Sequence, residues 1–339
     1  MGGLLEATEH AAHDDSGGHR AVMPDETIQA LAPRPGGCLV DATFGSGGHT
    51  RLLLAASAPD GRVIALDRDP EAVERGLALA ATLAGRLEMI HAPFGGLATH
   101  LASRGLIGRI DGVLFDVGVS SRQLDVAQRG FSFRLDGPLD MRMDPSSDGP
   151  TAADLLNRQS PETLTRMFWD LGEERHARRA VRAIVARRTR EPFATTTQLA
   201  TLLEQNLPHA GRIHPATRIF QALRIAVNRE LEELESGLDA ALQALAPGGR
   251  VAVISFHSLE DRIVKQRFRA LTLPPPPPSG PAALLPIRPA PFKPGFRLPH
   301  IRPIVPSDAE IATNPRARSA KLRVIERVSD PLPHQERDG

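Results

Sequence analysis

Short apolar runs and helical patterns alternate through the first third of the chain. Residues 38–43, 62–67, 87–91 and 111–116 are each five or six residues long and rich in Val, Ile and Leu, so they predict strands buried on both faces. They recur about every 25 residues, which leaves room for one crossover helix between neighbours and predicts a parallel sheet with right-handed connections. Ligands of such sheets lie beyond the carboxyl ends of the strands. The residues that follow each run are therefore the first candidates for chemistry.

The pattern changes after Asp144. Residues 151–207 carry only helical periodicity, with helix starts marked by Ser160-Pro161-Glu162 and by Thr195 to Gln198. A sheet pattern is expected to resume after Pro215, with a helix over 229–246, a turn at Pro247-Gly248-Gly249, a strand over 250–256 and a last strand over 321–328. The expected organisation is a discontinuous sheet domain, 19–145 and 215–330, interrupted by an all-helical insertion, 146–214. Residues 1–18 show no periodicity and predict a disordered extension. Residues 274–306 hold 13 prolines, four basic residues and no acid, a composition that forbids a helix and predicts a surface loop or spacer, with a binding tract as the alternative.

Composition narrows the class. A length of 339 residues suits about two domains. Cys38 is the only cysteine, so no internal disulfide forms, and a buried thiol in a reducing compartment is expected. No apolar run nears the roughly 20 residues of a membrane span, and the first residues lack the basic-then-apolar order of a signal peptide. A cytoplasmic protein without membrane contact is expected. With 41 basic and 40 acidic side chains the net charge is +1, so affinity for a polyanion has to come from local clusters. Lysine occurs only at 265, 293 and 321, and arginine carries nearly all the positive charge.

The first predicted strand runs into Asp41-Ala42-Thr43-Phe44-Gly45-Ser46-Gly47-Gly48-His49. Glycines between a strand and a helix let the backbone turn sharply and approach a ligand, and the helix start offers unpaired N–H groups. Asp67 ends the next strand, where a carboxylate accepts both hydroxyls of a ribose. A nucleoside ligand follows. Glycines and acid alone leave a dinucleotide and S-adenosylmethionine both open. The fourth strand ends Asp116-Val117-Gly118-Val119-Ser120-Ser121, and the turn Leu245-Ala246-Pro247-Gly248-Gly249-Arg250 before a late strand resembles the corresponding element of class I methyltransferases. These two features favour the sulfonium cofactor.

The strings Asp41 to His49, Asp67-Arg68-Asp69-Pro70, Asp116 to Ser121, Arg129-Gly130-Phe131-Ser132-Phe133, Asp136 to Asp144, Ser255 to Arg262 and Asn314-Pro315-Arg316-Ala317-Arg318-Ser319 resemble the bacterial ribosomal RNA small subunit methyltransferase H family, also called MraW. The resemblance runs from His19 to about Arg327. It implies a Rossmann-like class I fold with an inserted helical subdomain. It also implies methylation of the exocyclic N4 of a cytidine in the decoding region of small-subunit (16S) ribosomal RNA, with S-adenosylmethionine as donor. Cofactor contacts would fall on Gly47, Gly48, His49, Asp67, Phe94, Asp116 and Gln123. Residues 1–18 and the proline-rich stretch depart from the family pattern.

Asp116 is the candidate acceptor for the protons of the target amine, or else it binds the cofactor's ammonium group. His257, after the late strand, is a second catalytic candidate; the alternative is that it only ends the strand while Ser258-Leu259-Glu260-Asp261 starts a helix. Residues 175–190 hold seven arginines and no acid, and Arg178, Arg179 and Arg182 share one helical face, suited to RNA or simply to solvent. Arg316 and Arg318, with Lys321 and Arg323, form a second basic run. No histidine has metal-ligand spacing, so no metal is expected, and no protein partner beyond the small subunit is predicted.

Overall fold

A computed structural model describes residues 20–209, 214–274 and 294–329. The expected extension, 1–18, and residues 275–293 of the proline-rich stretch lie outside the described residues. The chain divides into two units, one taking in Met1–Asp67, Glu71–Val117 and Leu234–Gly339, the other Arg68–Pro70 and Gly118–Glu233.

The first unit is built on a seven-stranded sheet: β1 (Cys38–Asp41), β2 (Arg62–Asp67), β3 (Leu87–His91), β4 (Ile110–Asp116), β5 (Leu245–Ser255), β6 (Phe296–Arg297) and β7 (Lys321–Arg327). Its order is β3-β2-β1-β4-β5-β7-β6. β1 to β5 pair in parallel, while β7 runs antiparallel to both β5 and β6. This is the class I methyltransferase fold. Period-two alternation sorts the side chains onto two faces. Val40, Val113, Phe115, Val251 and Val253 enter one buried cluster with Leu238 and Phe268. Leu39, Leu114, Ala252 and Ile254 enter another with Leu53 and Leu322. Both faces are covered, which is why these strands read as continuous apolar runs.

The sheet order reverses at β1, which has β2 on one side and β4 on the other. A crevice at such a switch point opens beyond the carboxyl ends of the strands, here marked by Asp41, Asp67 and Asp116. β5 starts five residues earlier than the sequence pattern suggests: Leu245 pairs with Ile110, and after a register shift Arg250 pairs with Gly112, so the Pro247-Gly248-Gly249 turn is an irregularity within a strand.

The second unit is helical. Its helices include Ala152–Arg158, Pro161–Asp170, Ala177–Arg188 and Thr196–Asn206. Thr151, Ser160 and Thr195 cap the first, second and fourth of these by accepting backbone N–H bonds. Leu156, Leu164, Phe168, Ala180, Ile184, Leu199 and Leu203 form its core. That core also recruits residues outside 146–214, namely Phe131, Leu139, Met141 and Met143 before it and Ile219, Phe220 and Leu223 after it. The chain after Pro215 thus does not return to the sheet. It forms a further helix, Thr217–Asn228, whose apolar stripe at 219, 220 and 223 packs in the helical core, and sheet packing resumes at Leu234.

Candidate cofactor site

The loop after β1 is pinned to neighbouring strands by its own polar groups. Asp41 is fully buried; one carboxylate oxygen accepts from the Thr43 N–H at 3.1 Å and the other from the Thr50 hydroxyl at 2.6 Å. Burial pushes its pKa upward, opposed by the Thr50 hydrogen bond and the charge of His49. The Thr43 hydroxyl in turn accepts the Asp116 N–H at 2.7 Å, tying β1 to the end of β4. Further along, the Gly45 N–H donates to Asp67 at 2.7 Å, and Arg75 donates to the Gly45 carbonyl at 3.2 Å. Gly47 sits at φ +82°, and a Cβ there would lie 2.8 Å from the Phe44 ring, so only glycine completes the turn into the helix Gly48–Ala56.

His49, in the first turn of that helix, is buried, with Nε2 3.6 Å from Asp116 Oδ2. That is too long for a hydrogen bond. Neither ring nitrogen nor the buried Oδ1 of Asp116 has a hydrogen-bond partner among the described residues. Burial disfavours the imidazolium, but Asp116 and then Asp41 outweigh it and raise the His49 pKa. Phe94 follows β3 in a short 3-10 turn, half-buried and edge-on to Phe115 with ring centroids 5.7 Å apart. The sheet edge therefore offers a glycine turn at a helix start, two carboxylates, an aromatic face and orphaned buried polar atoms. A cationic nucleoside such as S-adenosylmethionine fits this donor and acceptor set, because each carboxylate suits a hydroxyl or a positive group and the helix start suits a carboxylate.

A profile of the MraW methylase family matches residues 16–328. The chain belongs to that family. A "Ribosomal RNA small subunit methyltransferase H" of Magnetococcus marinus is 54% identical over 312 residues, 92% of this chain and 99% of its own. A protein of the same name from Rhodospirillum centenum is 52% identical over 314 residues, 92% of this chain and 93% of its own. Among solved structures, a SAM-dependent O-methyltransferase of Thermotoga maritima covers 97% of this chain and 73% of its own at 11% identity and a TM-score of 0.40.

In this MraW-family chain the other residues singled out from the sequence have definite surroundings. Gln123 belongs to the second unit and is buried; its Nε2 donates to Asp69 at 2.9 Å and its Oε1 accepts the Ser120 N–H at 3.0 Å, closing a capping box. Asp69 also accepts from Arg129 at 2.8 Å, and Arg129 donates on to the Met143 carbonyl. Neither Asp69 nor Arg129 stood out in sequence, although both fall within the strings that mark the family.

His257 is itself the N-cap of the helix Ser258–Thr272, one position earlier than the sequence pattern suggests. Its Nδ1 accepts the Glu260 N–H at 3.5 Å, its Nε2 lies 2.9 Å from a Glu260 oxygen, and the Glu260 carboxylate accepts the Phe256 and His257 N–H groups. Arg178, Arg179 and Arg182 are exposed on the helix Ala177–Arg188, whereas Arg187 pairs with Glu191 and Arg188 donates to the Leu156 carbonyl. Arg316 and Arg318 are exposed in a 3-10 turn, but Lys321 and Arg323 are engaged by Asp261 at 3.3 and 2.7 Å, so the second basic run is shorter than the sequence suggests.

Proposed function

We propose that this protein transfers a methyl group from S-adenosylmethionine to small-subunit ribosomal RNA, at the exocyclic N4 of a cytidine in the decoding region. Family membership and the names of its relatives support the coarser statement of an rRNA methyltransferase acting on the small subunit. Transfer to an exocyclic amine is supported by a single observation: Asp116, at the carboxyl edge of β4, keeps a buried carboxylate oxygen without a partner among the described residues, an acceptor for an amine proton.

When bound, S-adenosylmethionine supplies an electrophilic methyl group on a sulfonium. Asp67 would accept the ribose hydroxyls while its hydrogen bond to Gly45 holds the loop. The backbone at Gly47, Gly48 and His49 would face the methionine part, and Phe94 would lie against the adenine. The N4 lone pair of cytosine is delocalised into its ring. Asp116 would hold an N4 proton and take it up as that nitrogen becomes tetravalent, so that the product leaves neutral. Holding the amine in line is the other part of the task, since near-attack geometry alone accounts for much of the rate. Gln123 would keep the cofactor contact that the resemblance implies, since its bonds to Asp69 and from the Ser120 N–H leave one amide N–H and one oxygen lone pair unused. His257 is assigned to capping the helix Ser258–Thr272 rather than to the target base. Arg178, Arg179 and Arg182 in the helical unit, and Arg316 and Arg318 in the sheet unit, would contact RNA phosphates. No described helix is long and apolar enough to cross a membrane.

Calorimetry with S-adenosylmethionine and transfer of labelled methyl to purified small subunits test the proposal. Asp67→Ala should lose a charge-assisted contact of about 1.5–3 kcal/mol, a roughly 10- to 150-fold weaker affinity. Asp116→Ala should stay folded and lose transfer. Tight NADH binding without a response to S-adenosylmethionine, or parental transfer by Asp116→Ala, would overturn it.

A further inference from the structure

Trp169 is the only tryptophan of the chain and is 59% exposed. It lies in the last turn of the helix Pro161–Asp170, whose inward positions are Leu164 and Phe168. One residue on from Phe168, the indole is turned out of the core. Arg166, three residues earlier, shares its face and is exposed. The chain then doubles back tightly: the Leu171 N–H bonds the Met167 carbonyl at 2.9 Å, and the Glu174 N–H bonds the Phe168 carbonyl at 3.1 Å. Arg175, the next residue, is thereby returned to the turn of helix that carries Trp169.

The following helix, Ala177–Arg188, buries Ala177, Ala180, Val181 and Ile184. That spacing leaves Arg178, Arg179 and Arg182 on the outside, exposed like Arg175. None of the guanidinium groups of Arg166, Arg175, Arg178, Arg179 and Arg182 has a hydrogen-bond or ion-pair partner among the described residues. Other arginines of the same unit are tied down: Arg142 to Asp140, Arg158 to Asp154, Arg187 to Glu191, Arg129 to Asp69. The acids of the connecting turn, Asp170, Glu173 and Glu174, are outnumbered by the five arginines. Glu174 is buried and its carboxylate accepts the His176 N–H at 2.7 Å.

We infer that Trp169 is a stacking platform for an unpaired base, flanked by phosphate contacts from Arg166, Arg175, Arg178, Arg179 and Arg182, so that this face of the helical unit holds a single-stranded segment of RNA. The inference rests on the reading of the substrate as ribosomal RNA and extends it to a surface. An indole left in water forgoes the burial that drives it into protein cores. Set beside unpaired arginines, it has the two features that single-strand binding needs: a π-face that accepts any base, and cations spaced to follow the backbone. Bases in RNA loops are unstacked and available to such a platform, whereas a duplex presents only its backbone and grooves. A run from 175 to 190 without an acid also matches a polyanion better than an ordinary protein surface of mixed charge.

The chain has no tyrosine, so its tryptophan emission reports on Trp169 alone. The full-length protein is titrated with a single-stranded RNA oligonucleotide and, in parallel, with a duplex of the same sequence, at several salt concentrations. Binding is followed both by Trp169 emission and by the anisotropy of a dye on the RNA. The single strand is expected to quench the emission in step with the anisotropy, and the duplex to leave it largely unquenched. Trp169→Ala should weaken single-strand binding about 5- to 150-fold, while Trp169→Phe keeps most of the affinity. Replacing Arg175 or Arg178 by Ala should reduce the slope of log affinity against log salt by about 0.7 each.

RNA that binds by anisotropy without changing the emission, or with equal affinity for Trp169→Ala, overturns the inference. So does emission that responds to whole small subunits but not to RNA, since the occupant would then be a ribosomal protein. Labelled methyl transfer by the same preparation separates the two claims: transfer without an emission response defeats only the stacking surface, and quenching without transfer defeats only the reading of the substrate.

Discussion

A single methyl group placed on Gly47 tests whether the cofactor loop works by close packing, and Gly85 supplies its own control. Both residues have φ +82°. An alanine at either position meets the same left-handed penalty, about 1–2 kcal/mol, and the same gain of about 0.4–1 kcal/mol from a less flexible unfolded chain. Their surroundings differ. A Cβ on Gly85 has nothing within 4 Å, whereas one on Gly47 would lie 2.8 and 3.0 Å from two carbons of the Phe44 ring. Phe44 is only 4% exposed, and its N–H is bound to the Leu66 carbonyl, so the ring has little room to retreat. Overpacking of this kind costs about 1–3 kcal/mol.

Because the backbone and unfolded-state contributions cancel between the two variants, Gly47→Ala should be about 1–3 kcal/mol less stable than Gly85→Ala. Urea unfolding with a shared slope measures that difference. The Gly47 N–H bonds the Phe44 carbonyl at 2.7 Å, so pressure on Phe44 also shifts the turn. Gly47→Ala should therefore bind S-adenosylmethionine about 2- to 12-fold more weakly, the loss of one neutral hydrogen bond, while Gly85→Ala binds as the parent does. Equal midpoints and equal affinities for the two variants would refute the close-packed loop.

Asp116→Asn should change the pH dependence of stability. Asp116, Asp41 and Glu310 face His49 and raise its proton affinity in the fold despite burial, so the folded chain holds that proton more tightly than the unfolded one. The resulting stabilisation is complete below the ordinary histidine value of about 6.5 and is lost as pH rises through the raised folded value. Asp116→Asn should flatten the fall of urea midpoints over that window, and an unchanged profile would show that Asp116 does not raise the proton affinity of His49. His257→Ala should cost about 0.5–2 kcal/mol of stability by removing the helix cap, and His257→Asn should restore most of it; methyl transfer that is lost in a stable His257→Asn variant would give the ring a part in catalysis instead. Arg129→Leu should cost about 3–5 kcal/mol by removing the guanidinium paired with the buried Asp69 carboxylate, and Asp69→Asn in the same chain should recover much of it, as measured by urea unfolding.

The sheet unit was legible because its central strands, β1, β2 and β4, are buried on both faces. Apolar runs at regular spacing mark β1 to β4, and the acids that end them, Asp41, Asp67 and Asp116, fall at the crevice where sheet order reverses. Ser160 and Thr195 were legible as caps because capping is local in sequence. Features set by distant partners were not. The bond from Gln123 to Asp69 joins residues 54 apart, that from Arg129 to Asp69 spans 60, and no periodicity encodes either. The helix Thr217–Asn228 read as the start of the sheet domain because its stripe does not declare which core receives it. His257 read as a catalytic candidate or as the end of a strand because imidazole is an uncommon N-cap, and its capping role appears only with Glu260 in place.

The central claim is the identity of the methylated atom. Small subunits incubated with the protein and labelled S-adenosylmethionine, then digested to nucleosides and resolved by chromatography and mass spectrometry, test it most directly. The account predicts label in N4-methylcytidine from a single position of the decoding region. Label in 5-methylcytidine, in another nucleoside or in a ribosomal protein would contradict it.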